Sequence, residues 1–466
     1  MVGLSKSDVS GRKDERHRGG LWQPRAKVGA TVGWELVVIA ASLLGFSVVS
    51  RPLAGTSITS AIVFVGVGLL AGIQALDLFD APSTGESVKV LAEATLAFVL
   101  FSDASRIDLR ALRREYTVPA RLLIIGLPLT IALGAIVASF IFQQLSLAEA
   151  VVIAVLLAPT DAALGQAVVT EPRLPSRIRQ GLNVESGLND GICVPLLFIA
   201  LAVAEADAGS VGDAHAARVV VEQIGYGVCG GVIGGLVTTA AVVAGTRRGL
   251  IEPAWLQVVP AAGAVLSYGF ATALGGSGFI AAFMAGVIFS ALRRSDSGEV
   301  TYLIDELGDV LNAVTLLVFG AVLLLPALED LNWRIAVYAI TSLTVVRMLP
   351  VAIAMMGTGA RLRTVAFMGW FGPRGLASIV FALIVLHDAQ LPHVGTILSA
   401  TYVTVGLSVL AHGITAAPLT RRYVSWFESH PADRRPVMES VPAAHHRWRR
   451  PWSFVGASAP ASSSTS

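Results

Sequence analysis

The stretch NVESGLNDGICVPLLF, residues 183–198, places two carboxylates, Glu185 and Asp190, in a segment that otherwise has the composition of a membrane helix. A charged carboxylate at bilayer depth is costly, and it persists only where it is paired, protonated or in contact with water. The stretch therefore indicates a functional site inside a membrane protein.

The composition of the whole chain agrees with a membrane location. Of its 466 residues, 54% are hydrophobic and only 14% are charged, whereas a soluble domain has roughly 25% charged residues. Apolar runs of about 20 residues recur along the chain, each long enough to cross a bilayer as a helix. We therefore predict an all-α polytopic membrane protein that lies in the lipid bilayer. The net charge of +2 gives no indication of a nucleic-acid partner.

The apolar runs predict about thirteen transmembrane helices within residues 33–422. A polar N-terminal tail, residues 1–32, precedes them, and residues 423–466 follow as a polar tail with the composition of a disordered segment. The predicted spans, in chain order, are 33–50, 57–78, 88–102, 120–142, 147–170, 182–204, 219–245, 254–274, 277–292, 307–325, 335–357, 362–386 and 394–420.

Loop charge predicts the orientation of these spans. Loops after odd-numbered spans carry arginines, such as Arg51 and Arg361, whereas loops after even-numbered spans carry mainly acids or no charge. Because basic loops stay in the cytoplasm, we predict a cytoplasmic C-terminus and an N-terminus outside the cell. The basic segment 12–27 argues against this orientation at the first span.

The seventh predicted span contains GYGVCGGVIGG, residues 225–235. Its glycines at 227, 231 and 235 are four residues apart, which favours close packing of two membrane helices. A phosphate-binding loop is the alternative, but no strand precedes the motif and no Lys-Ser/Thr pair follows it.

The fifth predicted span carries Pro159, Thr160 and Asp161 near its middle. Proline removes a helix donor and frees a backbone carbonyl. Such a break survives in a membrane only where it is buried in protein or lines a wet cavity. Broken helices expose carbonyl and amide ends that bind ions or substrates. Thr160 and Asp161 are therefore candidate ligands.

The sixth predicted span adds four polar residues at helical spacing. Glu185 and Asn189 share one face, and Ser186 and Asp190 share another about 100° away. The two acids therefore need not serve one site. Ser186 and Asp190 offer oxygens suited to a hard monovalent cation, whereas Glu185 requires a permanent cation as its partner.

Two arginines lie in later spans, Arg347 in LTVVRMLPVAIAMM and Arg374 in GWFGPRGLASIVFAL, beside a second helix break. Two arginines facing three buried acids leave one acid unpaired, and we predict that this acid is Asp190. The alternative is a set of salt bridges that only hold the bundle together, but buried ion pairs are weak stabilisers. Asp103, which ends the third span, could line the site, although an interfacial or capping role fits its position better.

These residues resemble the motifs of a known family. ESGLNDG, residues 185–191, resembles the Glu-Ser-x-x-Asn-Asp-Gly segment of the monovalent cation:proton antiporter-1 family, the sodium/proton exchangers. The resemblance covers residues 33–422. Further matching segments are PTD at 159–161, GSGFIAAFMAG at 276–286, VVRMLP at 345–350 and GPRG at 372–375.

The resemblance implies a binding site for the transported ion. Asp190 would bind the cation and the proton alternately. The rest of the Na⁺ shell would consist of Asp161, Thr160 and Ser186, with Asn189 supporting it.

The resemblance also implies roles for the remaining charges and a fold. Glu185 would form a structural ion pair with Arg347, and Arg374 would stabilise the crossing of the two broken helices. The family fold has two inverted six-helix repeats, with breaks here at spans 5 and 12, in a moving core domain and a dimerisation domain. A homodimer is thus expected. Asn189-Asp190 resembles the electroneutral branch, and Asp103 stands where the family often has a glutamate.

The sequence therefore predicts a secondary active transporter of the cell membrane, not an enzyme, that exchanges Na⁺ or Li⁺ for H⁺ by alternating access and serves pH homeostasis. A K⁺/H⁺ antiporter with the same site is the close alternative. An intramembrane aspartyl protease with Asp161 and Asp190 as its dyad leaves the arginines unexplained, and a passive channel or sensor is a third possibility. No cofactor is expected, because the histidines and cysteines form no ligand cluster.

Overall fold

The computed structural model describes residues 28–53, 55–72, 81–107, 116–161, 163–165, 168, 171–292, 298–431 and 435–440. All regular secondary structure in these ranges is helical. The predicted tails up to residue 27 and beyond residue 440 lie outside the described residues, as do residues 73–78 of the second predicted span and residues 162, 166–167 and 169–170 of the fifth.

The helices follow the predicted apolar runs. Those of the first half are α1 (Val28–Leu53), α2 (Ser60–Ala71), α3 (Ala81–Arg106), α4 (Thr117–Ile141), α5 (Leu147–Leu156), α6 (Ser176–Asp207) and α7 (Asp213–Arg247). Those of the second half are α8 (Pro253–Ala273), α9 (Gly278–Leu292), α10 (Tyr302–Glu329), α11 (Trp333–Ala354), α12 (Leu362–Trp370), α13 (Leu376–Asp388), α14 (Val394–Glu428) and α15 (Val437–Ser440).

The described helices have the lengths and composition of a membrane domain. Eight of them, α1, α4, α6, α7, α8, α10, α11 and α14, are long and apolar enough to cross a bilayer. Four shorter helices, α2, α5, α9 and α13, are also apolar. The all-α membrane fold is therefore confirmed, while the number of thirteen crossings stays a prediction.

The glycine motif of α7 packs against α9. A Cβ atom at Gly231 would lie 2.6 Å from the carbonyl oxygen of Ala281, and one at Gly227 would lie 2.9 Å from that of Ser277. Gly235 approaches Ala285 in the same way. Only glycine allows two helix backbones to come this close, so the interpretation as a packing motif agrees with the structure.

The turn between α8 and α9 contains a glycine in a left-handed conformation. Gly275 has a φ of +83°, which costs glycine little and most other residues considerably more. This turn separates the two helices at the place where the sequence predicts the division between spans 8 and 9.

Helical structure continues beyond residue 422, where the polar C-terminal tail is predicted to begin. Helix α14 continues to Glu428 with Tyr423 buried, and α15 buries Met438 in the same apolar cluster. Glu439 is also buried, and its carboxylate accepts a hydrogen bond from the backbone N–H of Arg361 at the start of α12 (2.9 Å). Packing of these side chains extends the folded region past the predicted boundary at residue 422.

Helices α5, α6, α11, α13 and α14 surround the position of the candidate site. Helix α5 packs on α6, and α14 packs on both α11 and α13. A single apolar cluster, which includes Leu156, Val194, Phe381 and Ile397, fills the space between several of them. This close packing fixes the position of two polar segments, one that follows α5 and one that separates α12 from α13.

Candidate cation site at the crossing of two broken helices

The first break follows α5. The helix ends at Leu156, and Pro159, Thr160 and Asp161 have no helical conformation. Proline at position 159 has no backbone N–H to continue the helix. Thr160 is 3% exposed, so the break lies inside the protein. The sequence predicts this break at the same three residues.

The second break separates α12 from α13 and crosses the first. The backbone N–H of Asp161 donates to the carbonyl oxygen of Pro373 (2.8 Å), and the N–H of Leu376 donates to Oδ2 of Asp161 (3.2 Å). The carboxylate of Asp161 thus caps the N-terminus of α13, where the helix dipole favours a negative charge. Its other oxygen, Oδ1, accepts a hydrogen bond from the N–H of Ala163 (2.8 Å).

The crossing requires glycine at two positions of the GPRG segment. A Cβ atom at Gly375 would collide with the Asp161 carboxylate, and one at Gly372 would collide with the guanidinium of Arg347. The motif therefore has a steric origin, because any larger residue would push apart the segments that meet here.

Arg374 is fully buried and binds backbone oxygens from both breaks. Its Nη1 donates to the carbonyl oxygens of Ala158 (3.3 Å), Pro159 (3.4 Å) and Gly372 (3.2 Å). These carbonyls lack helical partners because the helices are interrupted. The sequence analysis counts each arginine against one acid, whereas the hydrogen bonds of Arg374 are to main-chain carbonyls.

Glu185 and Arg347 form a buried ion pair between α6 and α11. Nη1 of Arg347 lies 2.5 Å from Oε1 of Glu185, and Nη2 lies 2.9 Å from Oε2. The two residues are 3% and 4% exposed. Two parallel charge-assisted hydrogen bonds of this kind fix both side chains.

Ser186 and Asn189 join α6 to the first break. The hydroxyl of Ser186 donates to the carbonyl oxygen of Thr160, and Nδ2 of Asn189 donates to the Thr160 hydroxyl (2.7 Å). Helical spacing predicts that Asn189 shares a face with Glu185, whereas it points toward Thr160 together with Ser186. The reason is that residues three apart are as close on a helix as residues four apart.

Asp190 is buried beside this junction and is 7% exposed. The described part of the chain supplies no hydrogen bond to its Oδ1, nor to Oδ1 of the neighbouring Asn189. Buried polar atoms of this kind are rare in folded proteins and call for a partner such as a proton, an ion or water. Asp161 and Asp103 are the carboxylates that act on Asp190 electrostatically.

Asp103 lies near the end of α3, close to α6. Its Cβ is 3.5 Å from the position that a Cβ of Gly187 would take, one helical turn before Asp190. Nη1 of Arg106 lies 3.7 Å from Oδ1 of Asp103, and Nη2 of Arg106 lies 2.5 Å from Oδ1 of Asp305 on α10. Asp305 is not among the residues singled out from the sequence, although an acid in the first turn of an apolar helix could have drawn attention to it.

The described residues contain no group of three or more His, Cys, Asp or Glu side chains arranged to hold a metal ion. The site is instead a set of hydroxyl, amide, carbonyl and carboxylate oxygens where two interrupted helices cross. Interrupted helices that meet in this way around an ionisable residue are typical of secondary transporters. The fold and the site thus place the protein in this class.

The chain belongs to the sodium/hydrogen exchanger family. Residues 37–422 match the profile of that family, described as the transmembrane part of a sodium/hydrogen exchanger. This match confirms the resemblance inferred from the motifs and indicates a transporter rather than an enzyme.

Individual relatives include exchangers of two cations. The chain is 25% identical over 346 residues to a probable Na⁺/H⁺ antiporter of Schizosaccharomyces pombe, with 69% of this chain and 45% of that protein aligned. It is 24% identical over 391 residues to the K⁺/H⁺ antiporter NhaP2 of Shewanella oneidensis, with 82% and 66% aligned. The chain thus spans between about half and two thirds of the length of these relatives.

A solved structure has the same fold. The sodium proton antiporter MjNhaP1 from Methanocaldococcus jannaschii superposes with a TM-score of 0.67 at 19% identity, covering 85% of this chain and 99% of that one. The likeness supports the fold class predicted from the sequence.

Proposed function

We propose that this chain exchanges Na⁺, or Li⁺, for H⁺ across the cell membrane, with the cation and the proton competing for Asp190. The observation that carries the proposal is the state of the Asp190 carboxylate. It is buried, and the described residues supply no hydrogen bond to its Oδ1. A proton or a cation satisfies such an oxygen, and each excludes the other.

The neighbouring groups supply the rest of a shell for a hard monovalent cation. Thr160, Ser186 and Asn189 hold one another through hydrogen bonds that leave oxygen lone pairs available. Asp161 contributes a second carboxylate at the crossing. Oxygen ligands of this type suit alkali cations better than soft metals.

Three other buried charges, Glu185, Arg347 and Arg374, do not compete for the transported ion. Glu185 is neutralised by Arg347, and Arg374 is held by backbone carbonyls. With one titrating carboxylate in the exchange, one cation replaces one proton, and transport is electroneutral. A protease dyad of Asp161 and Asp190 fits less well, because both oxygens of Asp161 accept backbone N–H groups.

Transport requires that the site open to one side of the membrane at a time. Helices α5, α6, α12 and α13, which carry the site, would move as a core against a second domain that forms a homodimer. The C-terminus would be cytoplasmic, and the N-terminus outside.

Exchange of K⁺ for H⁺ is the second candidate, and the relative in Shewanella oneidensis, a K⁺/H⁺ antiporter, favours it. Both candidates use the same oxygen ligands, and they differ in the ion radius that the shell accepts. Proteoliposomes with an imposed pH gradient, challenged with Na⁺, Li⁺ or K⁺, separate them by which cation dissipates the gradient.

The same vesicles test the exchange itself. Wild-type protein should dissipate the gradient on addition of its cation, at a rate unaffected by clamping the membrane potential with valinomycin and K⁺. Asp190→Asn keeps the size of the side chain and removes its charge, and it should abolish exchange. Wild-type rates in Asp190→Asn would overturn the proposal.

A further inference from the structure

The segment between α12 and α13 places backbone groups that lack helical hydrogen-bond partners inside a membrane domain. Each such group costs free energy unless another part of the protein satisfies it. The contacts of Asp161 and Arg374 satisfy the carbonyl oxygens of Pro373 and Gly372 and the N–H of Leu376. The carbonyl oxygen of Trp370, which also accepts the N–H of Gly372 (2.9 Å), lies at the end of α12, and the N–H of Arg374 lies two residues before α13.

Both of these end groups bind side chains of α14. Ser408 Oγ accepts a hydrogen bond from the N–H of Arg374 (2.7 Å), and Nε2 of His412 lies 2.9 Å from the carbonyl oxygen of Trp370. Ser408 and His412 are 0% and 1% exposed and stand one helical turn apart on one face of α14.

The hydrogen positions follow from these partners. A carbonyl oxygen can only accept, so Nε2 of His412 carries the hydrogen that it donates to Trp370. Nδ1 of His412 lies 3.2 Å from the Ser408 hydroxyl and 2.9 Å from the Ser408 carbonyl oxygen. In a neutral imidazole Nδ1 then has no hydrogen to donate to the Ser408 carbonyl, so it accepts a hydrogen bond from the Ser408 hydroxyl.

From these contacts we infer that Ser408 and His412 are positioning residues that hold the 371–375 segment, and through it Asp161, in the geometry that binds the transported cation. We call the pair the α14 brace. The inference rests on the proposed function, because the segment that the brace holds contacts the Asp161 carboxylate at Gly375 and Leu376. A shift of this segment moves a cation ligand without touching Asp190.

A neighbouring contact provides a matched control. Thr415, on the same helix, accepts a hydrogen bond from the indole Nε1 of Trp370 (2.9 Å). This bond involves a side chain and no backbone group of the 371–375 segment. Thr415→Val therefore removes a polar contact between the same two helices and leaves the brace in place.

The test is the dependence of exchange rate on cation concentration in proteoliposomes for Ser408→Ala, His412→Leu, His412→Gln and Thr415→Val. Ser408→Ala and His412→Leu should each raise the apparent KM for the cation about tenfold, the effect of losing one buried hydrogen bond. The maximal rate should stay within about twofold of wild type, since Asp190 is unchanged. His412→Gln, which retains an N–H donor, should restore much of the affinity.

Two results would overturn the brace. One is an unchanged apparent KM in Ser408→Ala, which also decides the matter if His412→Leu fails to fold. The other is an equal rise in KM for Thr415→Val. Asp190→Asn in the same vesicles separates the two proposals. Wild-type exchange rates in that variant contradict the proposed function, whereas wild-type KM values in Ser408→Ala and His412→Leu together with an inactive Asp190→Asn contradict the brace alone.

Discussion

Substituting Glu185 by glutamine should destabilise the folded chain through the charge that it leaves behind on Arg347. The guanidinium makes two hydrogen bonds to Glu185, at 2.5 and 2.9 Å, and both residues are almost fully buried. Removing one partner of such a pair costs about 3–5 kcal/mol, because the remaining ion has neither water nor a counter-charge. The detergent-solubilised protein is unfolded by titration with a denaturing detergent, and we expect its free energy of unfolding to fall by that amount.

The double variant Glu185→Gln/Arg347→Met is the matched control. A neutral pair of similar volume should recover most of the loss, since replacing both ions removes the unpaired charge. A single substitution that costs less than about 1 kcal/mol would mean that the pair behaves like an exposed salt bridge. A stable Glu185→Gln protein without transport would instead place Glu185 in the ion exchange and refute the separation of the two acids on α6.

Three further substitutions test the packing around the site. Gly375→Ala places a Cβ atom against the Asp161 carboxylate and should raise the apparent KM for the cation about tenfold in proteoliposomes; an unchanged KM would mean that the crossing tolerates a shift. Arg374→Gln removes the charged donor to three carbonyls and should lower the free energy of unfolding by about 2–5 kcal/mol. A decrease below about 1 kcal/mol would mean that Arg374 does not stabilise the crossing. Gly231→Val should cost about 1–3 kcal/mol by overpacking against α9, whereas Gly225→Ala, with open space around it, is the control, and equal losses would refute the packing motif.

The two helix breaks could be predicted from the sequence because their causes are local. Pro159 cannot continue a helix, and the glycines of GPRG allow an approach that side chains would block. Glu185 and Arg347 stood out for the same reason, since a charge in an apolar helix is visible without knowledge of its neighbours. The resemblance implied that they pair with each other, and the structure brings the two side chains into contact.

Contacts that depend on how distant helices pack could not be read from the sequence. The sequence left both carboxylates and main-chain carbonyls as possible acceptors for Arg374. Because the two breaks cross, its guanidinium donates to the carbonyl oxygens. The orientation of Asn189 depends on where Thr160 lies, because spacings of three and four residues are both compatible with a helix. Ser408 and His412 looked like ordinary residues of an apolar helix, because their partners are backbone groups far away in the chain.

The central claim is that a cation and a proton compete for Asp190, and proton release on cation binding tests it most directly. Purified protein in weakly buffered detergent solution, with a pH indicator, should release one proton for each Na⁺ that binds, and Asp190→Asn should release none. Cation binding without proton release in the wild type, or equal release from Asp190→Asn, would contradict the account.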